Sequence, residues 1–409
     1  MVNKMPLSRR VTAVNEALSI YINQLVYDLR RRNVPLTTLS LGEAFFEIKL
    51  QDFNRLNKEK GYHYSDSRGI PELRRKICDF YGKQYGARLN PDTNILVTAG
   101  SKPAIYMTLL AMIDPGDEVL IHEPAWLSYP EHVRLLDGIS KFIPFDLPVN
   151  DFPAHFTPRT RALILNNPNN PAGHLYSAEE LRELHRACRA RGIYIIMDEA
   201  YSDFVLNEDF PSMATVVPDL DGVVVVNSLS KNMGMSGWRL GYAISNPVFI
   251  DHLLKLNQHL ITCAPSILQY YVAEYFDEII GATLPQVRKV VEKRRRIAAV
   301  MDQIGLVRLP GASTFYFFVS IGDFSGTSME FAIHLLLRHG IAVVPGSAYG
   351  ESTERFIRIS IGTEDESRIV AALSQIKDAI EMKEFSSLAQ EAELRKKGLP
   401  LFAAGSKVR

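Results

Sequence analysis

From Asn94 onward the chain alternates short apolar runs with amphipathic segments, and no other feature restricts its fold as strongly. The runs are Ile95-Leu-Val-Thr98, Glu118-Val-Leu-Ile121, Lys141-Phe-Ile-Pro-Phe145, Arg161-Ala-Leu-Ile-Leu165, Ile193-Tyr-Ile-Ile-Met197 and Gly222 to Val226. Short runs that are apolar throughout read as strands buried on both faces. The intervening helical spacing is clearest from Ser177 to Arg191, where Ser177 and Glu180 make a capping box. Such alternation predicts an α/β fold, with a mainly parallel sheet covered by helices on both sides. Ligands of such sheets sit beyond the carboxyl ends of the strands, so the polar residues ending these runs are the candidates for chemistry.

The flanking regions read differently. Val11, Val14, Leu18, Ile22, Leu25, Val26 and Leu29 form an apolar stripe that predicts one helix over about Leu7 to Arg32. Asn33-Val-Pro35 ends it, and Leu36 to Gly42 reads as a short extended segment. Farther on, a charge-rich helix is expected from Pro285 to Met301. Its run Lys293-Arg-Arg-Arg296 reads as a solvated face. Strand-like Phe315 to Val319 and Phe356 to Ile361, with a helix from Met329 to His339 between them, suggest a smaller α+β domain. The expected division is an N-terminal arm contributing to the small domain (1–49), a large domain (50–284), the small domain (285–380) and a tail (381–409). The tail joins a charged helix to a Gly/Ala end.

Composition excludes several functions. Lys+Arg and Asp+Glu are both 46, so no net field favours nucleic acid or an anionic membrane. No run of about 18 apolar residues suggests a membrane span. The basic start, Met1 to Arg10, lacks a following apolar stretch, so no secretory signal is expected. Cys78, Cys188 and Cys263 are far apart, which argues against a metal site or a disulfide framework and suits a reducing cytoplasm.

The chemistry concentrates in Asn227-Ser-Leu-Ser-Lys-Asn-Met-Gly-Met-Ser-Gly-Trp-Arg-Leu-Gly-Tyr242, which begins where a buried strand ends. It offers the amine of Lys231, the hydroxyls of Ser228 and Ser230, and the guanidinium of Arg239. An amine able to form an imine, beside groups suited to a phosphate, is what a pyridoxal phosphate enzyme requires. Gly100 and Ser101 precede a helix, whose N-terminal amides would add to an anion site. Asp198 ends an apolar strand, and alternation points its neighbour Glu199 the other way. Arg358 is a planar fork within an otherwise apolar strand, suited to a carboxylate.

The full stretch closely resembles the lysine-bearing motif of the class I/II aminotransferases, the fold-type-I pyridoxal phosphate family. Five further stretches resemble its motifs in the same order, across roughly Leu36 to Ala372: Gly61 to Arg74, Glu123 to Pro130, Asn166 to Gly173, Met197 to Tyr201 and Pro345 to Ser360. The resemblance implies a Schiff base at Lys231, and a phosphate held by Gly100, Ser101, Ser228, Ser230 and Arg239. It also implies Asp198 at the ring nitrogen, Tyr201 and Asn170 at the phenolic oxygen, and Trp126 stacked on the ring. Gly42, Asn170 and Arg358 would meet the substrate, with Arg358 clamping its α-carboxylate. Tyr64 would reach the cofactor of a neighbouring subunit, implying a homodimer. Lys102 would lie by the cofactor and lean the preference toward an acidic side chain. Ala44 stands where proline is common, so the substrate-facing lip departs from the pattern. The activity implied is ping-pong amino transfer between an amino acid and a 2-oxo acid. The alternatives are a β-elimination lyase, decarboxylase or oxidase sharing these ligands, or a non-enzymatic cofactor-binding regulator.

Overall fold

The computed structural model describes residues 5, 7–56, 58–206, 210–382 and 384–401. The single helix expected over Leu7 to Arg32 is two, Arg9–Ala13 and Leu18–Arg31. In the gap, Asn15 donates from its backbone amide (3.1 Å) and its side-chain amide (3.2 Å) to the Glu131 carboxylate. These bonds draw the chain onto the helix Ser128–Leu135. Val11, counted in the stripe, is therefore 58% exposed, whereas Ile22, Leu25, Val26 and Leu29 are buried. β1 (Thr37–Thr38) follows.

The large sheet comprises β2 (Ile95–Thr98), β3 (Glu118–His122), β4 (Ile139–Ile143), β5 (Thr160–Asn166), β6 (Tyr194–Asp198), β7 (Val223–Ser228) and β8 (Gly241–Ser245). Its order is β2-β8-β7-β6-β5-β3-β4. β4, β3, β5, β6 and β7 run parallel; β8 runs antiparallel to both neighbours. Every expected strand of this sheet is present, although β4 starts at Ile139 and stops before Pro144, which has no N–H to continue a ladder. β8 was not foreseen. Its residues close the lysine-bearing stretch, and only the paired sheet distinguishes them from a loop.

Period-two alternation divides the strand residues between the two faces. Ile195, Met197, Val223 and Val225 pack with Leu73, Ile77 and Tyr81 of the helix Pro71–Tyr85. Ile196, Val224 and Val226 pack with Ala104 and Ile105 of the helix Ser101–Met112. The helix Ala178–Arg189 carries the expected capping box.

The second layered unit centres on β9 (Tyr316–Ser320), β11 (Val344–Pro345) and β12 (Phe356–Ser360), antiparallel in the order β11-β12-β9. β10 (Ile341–Ala342) pairs in parallel with β1, which brings the N-terminal arm into this unit. A helix from Phe276, rather than Pro285, to Gln303 joins the two cores, with Pro285 inside it. Phe276 and Ile279 pack under the large sheet; Val287, Val291, Ile297 and Met301 pack in the second core. Burial on both sides of the proline holds the helix through it.

The basic run also departs from expectation. Arg294 is 2% exposed and donates to the carbonyls of Tyr316 (3.0 Å), Gly311 (2.7 Å) and Ala172 (3.2 Å). Three carbonyl partners make burial of that guanidinium tolerable. Arg295 and Arg296 are the exposed, ion-paired members. The tail helix Ser387–Lys396 docks through Leu394, and Leu399 after it is buried too. The Gly/Ala end, 402–409, and half of the basic start, 1–4 and 6, lie outside the described residues.

Candidate active site

Beyond the end of β7 the chain turns into a four-residue helix, Leu229–Asn232, capped by Ser228, whose Oγ accepts from the Ser230 amide at 3.1 Å. Lys231 projects from this helix, half-buried, and its amine donates to the Gly42 carbonyl at 2.6 Å. The amine lies 5.8 Å from the centre of the Tyr201 ring. Burial lowers its pKa to about 8; Arg358 and Arg239 push the same way, while Glu43 and Asp198 oppose them. Desolvation is the larger effect, and the cationic neighbours add to it.

A concave set of donors lies beside it. Gly100, at φ 93°, caps the helix Ser101–Met112. A Cβ there would fall 2.2 Å from an Arg239 nitrogen and displace the guanidinium, and the positive φ itself favours glycine. Arg239 donates to the Ser236 carbonyl at 2.6 Å and to Ser230 Oγ at 3.4 Å, and Ser228 Oγ donates to Ser230 Oγ at 2.7 Å. Gly100, Ser101, Ser228, Ser230 and Arg239, 139 positions apart at the extremes of that span, therefore converge. Gly241 permits it: a Cβ there would lie 2.6 Å from the Ser101 nitrogen.

Asp198, buried at the end of β6, accepts from Tyr129 Oη at 2.6 Å and from the Ala200 amide at 3.0 Å. Burial raises its pKa, against those two bonds and the Lys231 charge. Glu199 points through the other face, accepting from Ser212 Oγ (2.9 Å) and the Met213 amide (2.7 Å), as alternation requires. Tyr201 Oη accepts from Asn170 Nδ2 at 3.2 Å and lies 3.0 Å from Tyr316 Oη. The loop bearing Asn170 is stitched to β6: Asn166 accepts from the Asn170 amide (2.6 Å) and donates to the Asp198 carbonyl (2.9 Å).

Arg358, on β12, donates to the Ser40 carbonyl at 2.7 Å and to Asn170 Oδ1 at 3.5 Å. Its guanidinium carbon is 4.6 Å from the Tyr316 ring centre and 5.5 Å from that of Tyr349, and its buried Nε has no partner. Trp126 is half-buried, edge-on to Tyr129 with ring centres 5.3 Å apart, and the Lys102 amine sits 5.0 Å from its centre. Lys102 is exposed, with its amine set over that aromatic face. Tyr64 is 86% exposed and makes no part of this cluster.

Sequence reasoning missed Tyr129, Tyr316, Tyr349 and Gly241. Tyr129, Tyr349 and Gly241 lie inside quoted motifs, so their positions were visible but not their orientations. Tyr316 looked like one more strand aromatic. Among the described residues no group of three or more His, Cys, Asp or Glu is placed to hold a metal, and no helix is long and apolar enough to cross a membrane.

Comparison with known proteins accords with this geometry. The model of the family described as aminotransferase class I and II matches residues 41–373. A (5-formylfuran-3-yl)methyl phosphate transaminase of Methanocaldococcus jannaschii is 35% identical over 377 residues, covering 91% of this chain and 99% of that one. A probable aspartate/prephenate aminotransferase of Aquifex aeolicus is 31% identical over 396 residues, covering 92% and 98%. Among solved structures, the aspartate aminotransferase of Thermus thermophilus with maleate superposes with a TM-score of 0.83 at 28% identity, over 92% of this chain and 100% of that chain. With a match over most of its length and a cluster built at the strand ends of the same fold, the chain belongs to the class I and II aminotransferases, enzymes that transfer amino groups.

Proposed function

We propose that the cluster holds pyridoxal 5'-phosphate on Lys231 and transfers an amino group between an amino acid and a 2-oxo acid. The carrying observation is the convergence of a lowered-pKa amine with an anion cradle on one side and a buried guanidinium on the other. The cofactor, when bound, supplies an electron sink for the carbanion left at the substrate Cα.

The chain's own residues do the rest. The Ser101 amide, Ser228, Ser230 and Arg239 would hold the phosphate dianion, with Gly100 leaving room for the guanidinium. Asp198 holds a proton on the ring nitrogen; a cationic partner there favours its ionised form, opposing the effect of burial. Asn170 and Tyr201 address the phenolic oxygen, and Trp126 covers the ring. Arg358 takes the substrate carboxylate with its unpartnered Nε. Lys231, poised near neutral pH, takes the proton from Cα and returns it elsewhere. Gly42 lines the substrate side.

The same reading makes the protein a cytoplasmic homodimer in which Tyr64, exposed on the single chain, reaches the partner's cofactor. It divides the chain into a large domain (50–284), a small domain (285–380) joined by the N-terminal arm (1–49), and a tail (381–409).

Replacing Lys231→Ala is expected to abolish the near-visible absorbance of the covalently held cofactor and at least about 10³-fold of turnover, the order expected for loss of a nucleophile and general base. Retained turnover would sink the proposal. Wild-type enzyme mixed with a donor is expected to pass to the amine form of the cofactor. Steady ammonia release without that half-reaction would instead indicate lyase or oxidase chemistry.

A further inference from the structure

Tyr316, on β9, touches both halves of the cluster. Its hydroxyl lies 3.0 Å from Tyr201 Oη, the group assigned to the phenolic oxygen of the cofactor. Its ring faces Arg358, the group assigned to the substrate carboxylate, with the guanidinium carbon 4.6 Å from the ring centre. Gly42 borders the hydroxyl: a Cβ there would sit 3.4 Å from it. The side chain is fully buried, and its backbone is tied on both sides. The Tyr316 carbonyl accepts from Arg294 Nε at 3.0 Å, and its amide donates to Thr314 Oγ1 at 3.2 Å. Packing and backbone together hold the phenol against Tyr201.

The direction of the hydrogen bonds follows from counting protons. A phenol has one proton to give and two lone pairs to fill. Asn170 Nδ2 donates to Tyr201 Oη at 3.2 Å and fills one of them. Between the two tyrosines either hydroxyl can donate. Burial pushes both phenols up, so each keeps its proton at neutral pH. The charged groups around the pair are Arg358 on β12, Asp198 at the end of β6, Lys231 beyond β7 and Glu43 in the N-terminal arm. Each has its hydrogen bonds elsewhere: Arg358 to Ser40, Asp198 with Tyr129, Lys231 to Gly42 and Glu43 with Ser236. An ionised oxygen beside Tyr201 takes its proton in preference to a neutral phenol, because bonds to an ionised acceptor are the stronger ones. Tyr316 must then donate, since otherwise two lone pairs would face each other at 3.0 Å.

We infer that Tyr316 is a positioning residue for the cofactor site. Its hydroxyl fills the second lone pair of Tyr201 and turns the Tyr201 proton toward the phenolic oxygen. Hydrogen bonds donated in series polarise one another, so Tyr201 is a stronger donor with Tyr316 behind it than alone. The inference rests on the cofactor site proposed above and adds a residue to it from the second unit.

The test titrates the near-visible absorbance of the holoenzyme with pH and needs no turnover. The band changes as the proton between the Lys231 nitrogen and the phenolic oxygen leaves. That oxygen then carries its full negative charge, which a donated hydrogen bond stabilises. Weakening the donor therefore moves the midpoint upward. Tyr316→Phe keeps the ring over Arg358 and removes only the hydroxyl; it is expected to raise the midpoint by about half a unit to one unit, the size of one hydrogen bond. Tyr349→Phe is the control. Its ring centre is 5.5 Å from the same guanidinium carbon, but its hydroxyl has no hydrogen-bond partner, so the midpoint should stay in place. A second measurement uses the Tyr201→Phe background. Because Tyr316 acts through Tyr201, adding Tyr316→Phe there should shift the midpoint no further. An unchanged midpoint in Tyr316→Phe, an equal shift in Tyr349→Phe, or additive shifts in the double variant overturns the inference and leaves the proposed function standing. So does a wild-type band that persists unchanged past about pH 9, because the phenolic oxygen then has no effective donor. A wild-type chain that takes up no near-visible cofactor overturns the proposed function, and this inference with it.

Discussion

Lys231 shows how much a single side chain owes to its surroundings. A lysine just past a strand end is ordinarily a solvated cation; here the Gly42 carbonyl and the Tyr201 ring enclose it, and its pKa falls to about 8. The opposite demand falls on Gly100, whose side must stay empty for Arg239. Gly100→Ala combines a 2.2 Å clash with a positive φ, so it is expected to weaken cofactor affinity at least about tenfold, read by titrating the apoenzyme. Unchanged affinity would remove Gly100 and Arg239 from the phosphate site. At this scale the residue types were legible and their environments were not. Asp198 could be named from its place after an apolar strand, but its bond from Tyr129 required the helix after Trp126 to fold back over β6.

At the ends of β6 and β7 a functional residue and a locking residue, adjacent in sequence, face opposite ways. Asp198 faces the cluster and Glu199 the opposite core; Ser228 turns to the cradle while Asn227 donates to Tyr81 at 2.9 Å. Asn232, next to Lys231, donates to Asp203 at 2.8 Å, and Tyr85 donates to Asp203 at 2.6 Å. A buried polar layer thus pins the elements from behind. Burial raises the Glu199 pKa to about 8 from an ordinary 4.5. The folded chain keeps that proton through a window in which the unfolded chain has lost it. The contribution is therefore fully present below pH 4.5 and is lost as pH rises to about 8. Thermal midpoints from pH 5 to 8 should fall more steeply in the wild type than in Glu199→Gln. Parallel slopes would contradict this reading of the layer. Periodicity gave away these strands and their two faces, but not β8, whose short run resembles the loop before it until β2 and β7 pair with it.

Across the whole molecule, two cores share one long helix, and the tail helix closes the second. Leu394→Ala should cost about 2–5 kcal/mol, as for other buried leucines, and lower the thermal midpoint while leaving cofactor absorbance in place. A change below about 0.5 kcal/mol would mean the tail helix does not dock. Tyr64 offers the complementary test. It is 86% exposed, so Tyr64→Phe should leave the stability of the chain alone yet weaken cofactor affinity several-fold in a sedimenting dimer. No change in affinity would take it out of a shared site.

The sequence by itself determined the class of fold, six of the large sheet's seven strands and the residue types at their ends. Those features are local: burial on two faces writes an apolar run, and a turn into a helix writes its glycine or serine. Only the tertiary structure decided which of these ends meet, where the N-terminal helix breaks, and that Arg294 is buried rather than solvated. The Gly42 carbonyl is 189 positions from the Lys231 it receives, and the Ser40 carbonyl 318 positions from Arg358. Pairings of that separation leave no period in the chain, because packing between elements, not spacing within one, brings them into reach.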